Sequence, residues 1–445
     1  MLKSVFRRIR QNPLFSAIYV TGSALSIASA MIVVIYVYVN MADIYPEHDR
    51  SDIYEVYGLE ALIKNEYGST GASKLGFSPA FADKLKNSIT CAEEIATEQQ
   101  VYQVRNRVII EPTDGSLPFA VVGKYVDTPF FNIFGYEMLY GSLFSSNDFD
   151  SGYRAVVITD KLATRLFGDP ESAVGKSIDV CYDAYLIRGV IREPNFLLQS
   201  SYGQIFFPYT IRGDQGCSYY GNNSMDKINA VGGSLRLWVK VRDASAADSL
   251  RRQVNDMIRA TEAMFTQPGD SLKLTLDPIR SISARNFMAE DGHFTLADML
   301  RKYGVIILIL LIVPALNLGG LIAGNMESRL PEMGVRKSFG AGRRRLLVSV
   351  LSENMVLTAA GGILGLAISV LLVWKWREWV FFLNDNILAD APAGVSLTLT
   401  PEMLFAPTVL AVAFVLCLLV NVMAAMIPAW WALRRPIVES LSENK

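Results

Sequence analysis

From Ile18 to Val39 the chain carries no charged side chain, and Tyr303–Ala323, Leu346–Trp374 and Phe405–Ala429 are nearly or wholly as free of charge. About twenty apolar residues, each rising 1.5 Å along a helix, cross a hydrocarbon layer roughly 30 Å thick. A core helix of a soluble protein seldom stays uncharged for so long. Four such stretches therefore predict an α-helical membrane protein with four transmembrane helices. The first stretch is longer than the apolar region of a cleaved signal, about 7–15 residues. Its exit, Val39-Asn40-Met41-Ala42-Asp43, lacks small residues at both cleavage positions. It reads as an uncleaved anchor.

Basic residues orient the segments. Lys3, Arg7, Arg8 and Arg10 precede the first, and an acidic run from Asp43 to Asp49 follows it. Arg329, Arg336, Lys337 and Arg343–Arg345 follow the second, and Arg434 and Arg435 follow the fourth. Four crossings bring all three basic clusters to one side, so both termini are expected in the cytoplasm. Trp374, Trp376 and Trp379 at one end of the third segment, and Trp430 and Trp431 at one end of the fourth, suit interfacial belts. Residues 1–13 place Leu2, Val5, Phe6 and Ile9 opposite Lys3, Arg7 and Arg10, the pattern of an interfacial amphipathic helix that Asn12-Pro13 ends.

The resulting plan has an amphipathic helix (1–13), helix one (18–39) and a large outer domain (41–301). Helix two (303–323), a cytoplasmic loop (326–345) and helix three (346–374) follow. An outer loop (375–404), helix four (405–429) and a tail (430–445) complete it. The outer domain falls between the first and second helices, a 1+3 arrangement. Its strand candidates are Ile53–Leu62, Phe119–Val126, Ala155–Thr159, Tyr185–Ile191, Gln204–Pro208, Leu235–Val241 and Leu272–Leu276. Helix candidates are Pro79–Ser88, Asp160–Phe167 and Ala246–Thr261. A helix between strands at each end suggests two βαβ units with a strand-rich insert between them, an α+β domain of two lobes.

Several chemistries are excluded. Lys plus Arg number 42 against 43 Asp plus Glu, a balance that gives no sign of a nucleic-acid partner. With only two His, a histidine-rich metal site is out of reach, and no catalytic constellation or cofactor motif stands out. Gly175-Lys176-Ser177 mimics a phosphate loop, but Pro170 stands where its first glycine belongs. A turn into a strand at Ile178–Val180 is expected instead. Cys91, Cys181, Cys217 and Cys417 match no zinc or redox spacing. An oxidising compartment would permit a Cys181–Cys217 pair, yet the odd count outside the membrane favours three buried thiols. Within the helices the polar groups are few. Glu353 reads as a capping or interfacial group rather than a coupling acid, which weighs against proton-coupled transport. Small residues mark packing faces in lipid: Gly22, Ser26 and Ala30, then Gly320 and Gly324, then Gly361 and Gly365.

The run Arg329-Leu330-Pro331-Glu332-Met333-Gly334-Val335-Arg336-Lys337-Ser338-Phe339-Gly340-Ala341 resembles the signature that follows the second membrane helix of FtsX-like permeases. Ser352-Glu353-Asn354 with Gly361-Gly362-Ile363-Leu364-Gly365 resembles the family's third helix, and Ile427-Pro428-Ala429-Trp430 its C-terminal ending. Val126-Asp127-Thr128-Pro129-Phe130-Phe131, and Val157-Ile158-Thr159 leading to Leu166-Phe167-Gly168, are similar to the MacB-type periplasmic core domain. The resemblance implies a permease subunit of an ABC transporter in the inner membrane, working as a dimer with a separate ATP-binding subunit. It implies that Glu332, Gly334, Arg336, Lys337, Gly340 and Ala341 meet that ATPase. Motion would then pass to a periplasmic domain, serving efflux, lipoprotein release or mechanotransmission, with a periplasmic companion among the expected partners. The rival expectation is a membrane-anchored receptor or sensor that has no ATPase.

Overall fold

In a computed structural model of the protein, the described residues are 13–64, 70–100, 107–112, 115–212, 231–265, 271–286, 296–312, 320, 335–336, 338–340, 342–382, 397–404 and 406–434. The chain forms two compact units. One comprises Met1–Val39, Thr295–Asp385 and Leu399–Lys445; the other comprises Asn40–Phe294 and Asn386–Thr398.

The main helices are α1 (Pro13–Met41), α2 (Pro79–Ser88), α3 (Pro129–Phe134), α4 (Asp160–Phe167), α5 (Ala244–Phe265), α6 (Ile282–Asn286), α7 (Arg343–Lys375) and α8 (Pro407–Arg434), with shorter ones at Ser146–Asp150, Leu296–Met299, Arg377–Phe382 and Pro401–Leu404. Pro13 and Pro407 sit in first turns, where a missing N–H costs nothing. In the first unit α1, α7 and α8 leave large apolar side chains in the open. Ile363 is 67% exposed, and Leu371, Val412, Leu419 and Met423 also face outward. An apolar surface of that extent marks contact with lipid or protein rather than water. Among the described residues, Pro13–Met41 and Arg344–Lys375 are long and apolar enough to cross a bilayer. Of the second expected crossing, residues 305–312 are helical and most of the rest lies outside the described residues.

The second unit is built on β1 (Ile53–Val56), β2 (Leu59–Lys64), β3 (Thr70–Phe77), β4 (Ala92–Gln99), β5 (Arg107–Glu111), β6 (Phe119–Val126), β7 (Met138–Gly141), β8 (Ala155–Thr159), β9 (Ser177–Val180), β10 (Asp183–Ile191), β11 (Ile205–Pro208), β12 (Gly232–Gly233), β13 (Leu235–Val241), β14 (Ser271–Leu276) and β15 (Arg280–Ser281). β13 lies between β4 and β1, antiparallel to both, and β15 flanks β1 on its other side. The order β4-β13-β1-β15 with α2 and α5 as crossovers is a split βαβ pair, the ferredoxin-like arrangement. The two expected βαβ units thus interleave in one sheet.

Alternation in β13 shows why the sheet has two unlike faces. Leu235, Leu237, Val239 and Val241 join Phe81 and Leu85 of α2 and Leu250, Val254 and Ile258 of α5 in one apolar core. The α5 residues recur at helical spacing, and Ser78 caps α2 by accepting from Phe81 N–H at 3.2 Å. The opposite face presents Arg236 and Trp238. Trp238 packs with Phe130 and Phe134 of α3 and with Phe206.

Between β4 and β13 lies the strand-rich insert. β8, α4 and the parallel strand β10 form a βαβ unit of their own, capped where Thr159 accepts from Leu162 N–H. β9–β10 is a two-residue hairpin turned at Cys181 and Tyr182, both at positive φ. Gly175 turns the chain into β9, as expected of a segment that is no phosphate loop.

Three sequence expectations need correction. The single strand Ile53–Leu62 is two strands, because Gly58 takes φ +83° and breaks the run. Cys181 is exposed and Cys91 half-buried, since one sits at a hairpin turn and the other leads into β4; Cys217 lies outside the described residues. Glu353 is buried within α7 and does not cap it, since the helix begins at Arg343.

Candidate functional site

Helix α7 meets α1 through its glycines. A Cβ on Gly361 would collide with Ser23 Oγ and come within 3.0 Å of the Val20 carbonyl. One on Gly365 would lie 2.6 Å from the Ala24 carbonyl and 3.2 Å from Ala28 N. Absent side chains are what let the two backbones approach. Tyr19 Oη and Thr358 Oγ1 share a hydrogen bond of 3.0 Å beside this seam. Ser26 Oγ donates to the carbonyl of Leu310 at 3.1 Å, so adjacent stripes of α1 serve different neighbours. Gly362 abuts the Phe414 ring of α8. Gly22 is half-buried, and Gly320 stands in open space; Gly324 is outside the described residues.

Of the expected ATPase-facing residues, Arg336 is half-buried and helical, and Gly340 is exposed at φ +85°. That left-handed turn precedes α7, whose first residues are Arg343–Arg345. Glu332, Gly334, Lys337 and Ala341 lie outside the described residues, as does the amphipathic segment 1–12.

In the second unit, the face of the split βαβ sheet opposite α2 and α5 holds a buried ionic network. Arg236 pairs with Glu55 at 2.5 Å and approaches Glu98 at 3.7 Å. Lys124 Nζ lies 2.6 Å from Glu98, and Arg285 Nη1 lies 3.0 Å from the other oxygen of Glu55. The Trp238 indole N–H donates to Glu98 Oε2 at 2.9 Å. Burial alone would push both carboxyls up. Arg285 and Arg236 outweigh it at Glu55, Lys124 and Arg236 outweigh it at Glu98, and both are held below the usual glutamate range. Burial lowers Lys124 despite Glu98.

The chain just after α1 is anchored in the same unit. Glu47 and Arg50 form an ion pair of 3.1 Å, each 1% exposed. Glu47 also accepts from the amide and hydroxyl of Ser201 at 3.1 and 2.9 Å. Tyr45 donates to the Arg192 carbonyl at 2.7 Å, and Asn286 donates to the Asn40 carbonyl at 3.3 Å. Asn195 donates to the carbonyl of Thr398, just ahead of the last helix.

None of these ionic groups was singled out from sequence. The signal was the alternation Leu235-Arg236-Leu237-Trp238, which reads as a solvent face until Trp238 is given weight as a residue that seeks burial. Among the described residues, no group of three His, Cys, Asp or Glu could hold a metal.

Membrane-length apolar helices joined to an α+β domain describe a membrane protein, and the family matches that follow make that domain extracytoplasmic. The sequence matches the MacB-like periplasmic core domain over residues 16–257, more than half of the chain, and the FtsX-like permease C-terminal domain over residues 304–437. The chain belongs to the MacB/FtsX family of ABC transporter permeases and is the non-catalytic permease component. It is 23% identical over 324 residues to an uncharacterized ABC transporter permease, YknZ of Bacillus subtilis, covering 70% of this chain and 75% of that one. It is 22% identical over 273 residues to the macrolide export ATP-binding/permease protein MacB of Neisseria meningitidis, covering 60% of this chain and 38% of MacB. The chain thus spans well under half of that MacB. A domain of a putative permease from Porphyromonas gingivalis is similar at 16% identity, with a TM-score of 0.35, covering 57% of this chain and 98% of that domain.

Proposed function

We propose that this permease couples ATP hydrolysis by a partner ATPase in the cytoplasm to a conformational change of its periplasmic domain. The observation that carries the reading is the anchoring of residues 40–50, where buried Glu47 accepts from the Ser201 amide and hydroxyl and Tyr45 donates to the Arg192 carbonyl. A segment tied by buried hydrogen bonds moves as part of the body it is tied to, so a shift of helix one is delivered to the domain rather than lost in a slack linker. Four crossings in a 1+3 arrangement and cytoplasmic termini follow from the basic clusters. The split βαβ unit and its insert are the two lobes.

In this reading the loop 326–345 is the contact for the ATP-binding subunit. Glu332, Gly334, Arg336, Lys337, Gly340 and Ala341 provide a turn and cations, while Gly22, Ser26, Gly324, Gly361 and Gly365 pack helices within the chain or across a permease dimer, and Gly320, open within the chain, packs across the dimer. The output is efflux, lipoprotein release or mechanotransmission, with a periplasmic companion receiving it. The test is to purify the chain with its ATPase and measure distances between spin labels on the two lobes, nucleotide-free and ATP-trapped. A change of several ångströms is expected. Identical distance distributions in both states would refute the coupling.

A further inference from the structure

A cavity of about 370 Å³ in the second unit is lined by Glu55, Tyr57, Asp277, Pro278, Arg280 and Arg285, within the range of small-molecule sites. The sheet register explains its chemistry. Glu55 faces Arg280 directly across β1 and β15, so both side chains leave the same side of the sheet. Such a pair would ordinarily form a salt bridge, but Glu55 is already committed. One of its oxygens takes Arg236 at 2.5 Å and the other takes Arg285 at 3.0 Å. Among the described residues Arg280 has no ion pair, and its Nε is buried without a hydrogen bond.

The charge balance points the same way. Lys124, Arg236, Arg280 and Arg285 stand against Glu55 and Glu98 of the network and Asp277 at the cavity wall. One cation is in excess, and two of the four, Arg280 and Arg285, line the cavity.

We propose that this cavity binds a small monoanionic oxyanion, a carboxylate or a phosphodiester, with Arg280 as its principal donor. A guanidinium offers two parallel N–H groups that match either anion. Asp277 and Glu55 in the wall disfavour a second negative charge on the ligand, which selects monoanions over dianions. A carboxylate would come from a soluble metabolite or a peptide terminus, and a phosphodiester from a lipid headgroup.

The experiment is calorimetric titration of the full chain in detergent with acetylglycine, with dimethyl phosphate and with sulfate. Saturable binding of at least one monoanion is expected, stronger than that of sulfate, and the tighter of the two identifies the source. Arg280→Ala is expected to weaken it by roughly tenfold or more. Should Arg280→Ala lose its folded circular-dichroism signature, Arg280→Gln, which keeps most of the stem, carries the comparison. No saturable binding of either monoanion to the wild type, or equal affinities in the wild type and the folded variant, overturns the proposal. The readout needs no ATPase, so it stands or falls separately from the coupling mechanism.

Discussion

Lys124 Nζ lies 2.6 Å from Glu98 Oε1, with the two side chains 6% and 1% exposed. The pair joins β6 of the insert to β4 of the split βαβ unit, next to Arg236 and the Trp238 indole. Desolvation makes such a pair a poor net stabiliser but an expensive one to break.

Removing only one partner is therefore expected to do more harm than removing both. Lys124→Met should destabilise the domain by about 3–5 kcal/mol. The double variant Lys124→Met/Glu98→Gln should recover much of that loss in urea denaturation of the purified protein. A double variant as unstable as the sum of the singles would show that the charges do not act as a pair.

Acid should unlock the same network. Glu55 and Glu98 are held below the glutamate value of 4.5, so their contribution is fully present above about pH 4.5 and fades as pH falls through their lower folded values. Asp127 and Glu193 act in the opposite sense. Burial raises both, with Lys86 and Lys161 offsetting it only in part, so they gain stability as they take up protons. Thermal melts of wild type and Glu98→Gln across pH 3–7 separate the two effects: the wild type should fall more steeply below pH 4.5.

Gly361→Val and Gly365→Val are expected to drive α1 and α7 apart and reduce the folded, detergent-soluble yield several-fold. Their added atoms meet the Ser23 hydroxyl and the Ala24 carbonyl. Gly320→Ala should leave the yield unchanged, because nothing lies within 4 Å of its new methyl group. Size-exclusion profiles distinguish the three, and an undisturbed Gly361→Val would remove the close approach from the account.

Arg336→Glu and Gly340→Val address the cytoplasmic loop. The first reverses a charge and the second strains a backbone at φ +85° by about 1 kcal/mol or more. Both should abolish stimulation of the partner ATPase while the permease still inserts. Stimulation at the wild-type level in both would remove the loop from the coupling path.

Cys181 provides a map of sidedness. Its thiol is exposed at the β9–β10 turn, whereas Cys417 is buried. A membrane-impermeant maleimide should label Cys181 in spheroplasts without permeabilisation, and Cys181→Ser should lower the signal. Labelling that requires a broken membrane would invert the topology.

Much of the architecture was legible where periodicity and end signals agreed. Pro79–Ser88, Asp160–Phe167, Phe119–Val126, Ala155–Thr159 and Leu235–Val241 have the same limits in the structure as in the sequence reading. Each is bounded by a cap, a proline or a turn residue. β4 escaped notice because Ala92-Glu93-Glu94-Ile95-Ala96-Thr97-Glu98-Gln99 has the composition of a helix. It is a strand because β13 pairs along its length. β3, Thr70-Gly71-Ala72-Ser73-Lys74-Leu75-Gly76-Phe77, has almost no apolar pattern and is held by its ladder with β2. The ionic network was hidden for the same reason: partners up to 230 residues apart leave no local trace.

The interleaved sheet also fixes a schedule for biogenesis. β1 leaves the membrane first, yet its neighbours β13 and β15 arrive only after the whole insert, with Arg236 lying 181 residues beyond Glu55. During export the earliest strand must wait with both edges unpaired, and its charged residue must wait in water for partners still to be synthesised. Pairing at such range is slow and exposes sticky edges. The insert can close its own β8–α4–β10 unit meanwhile, and β1 is among the last strands to settle.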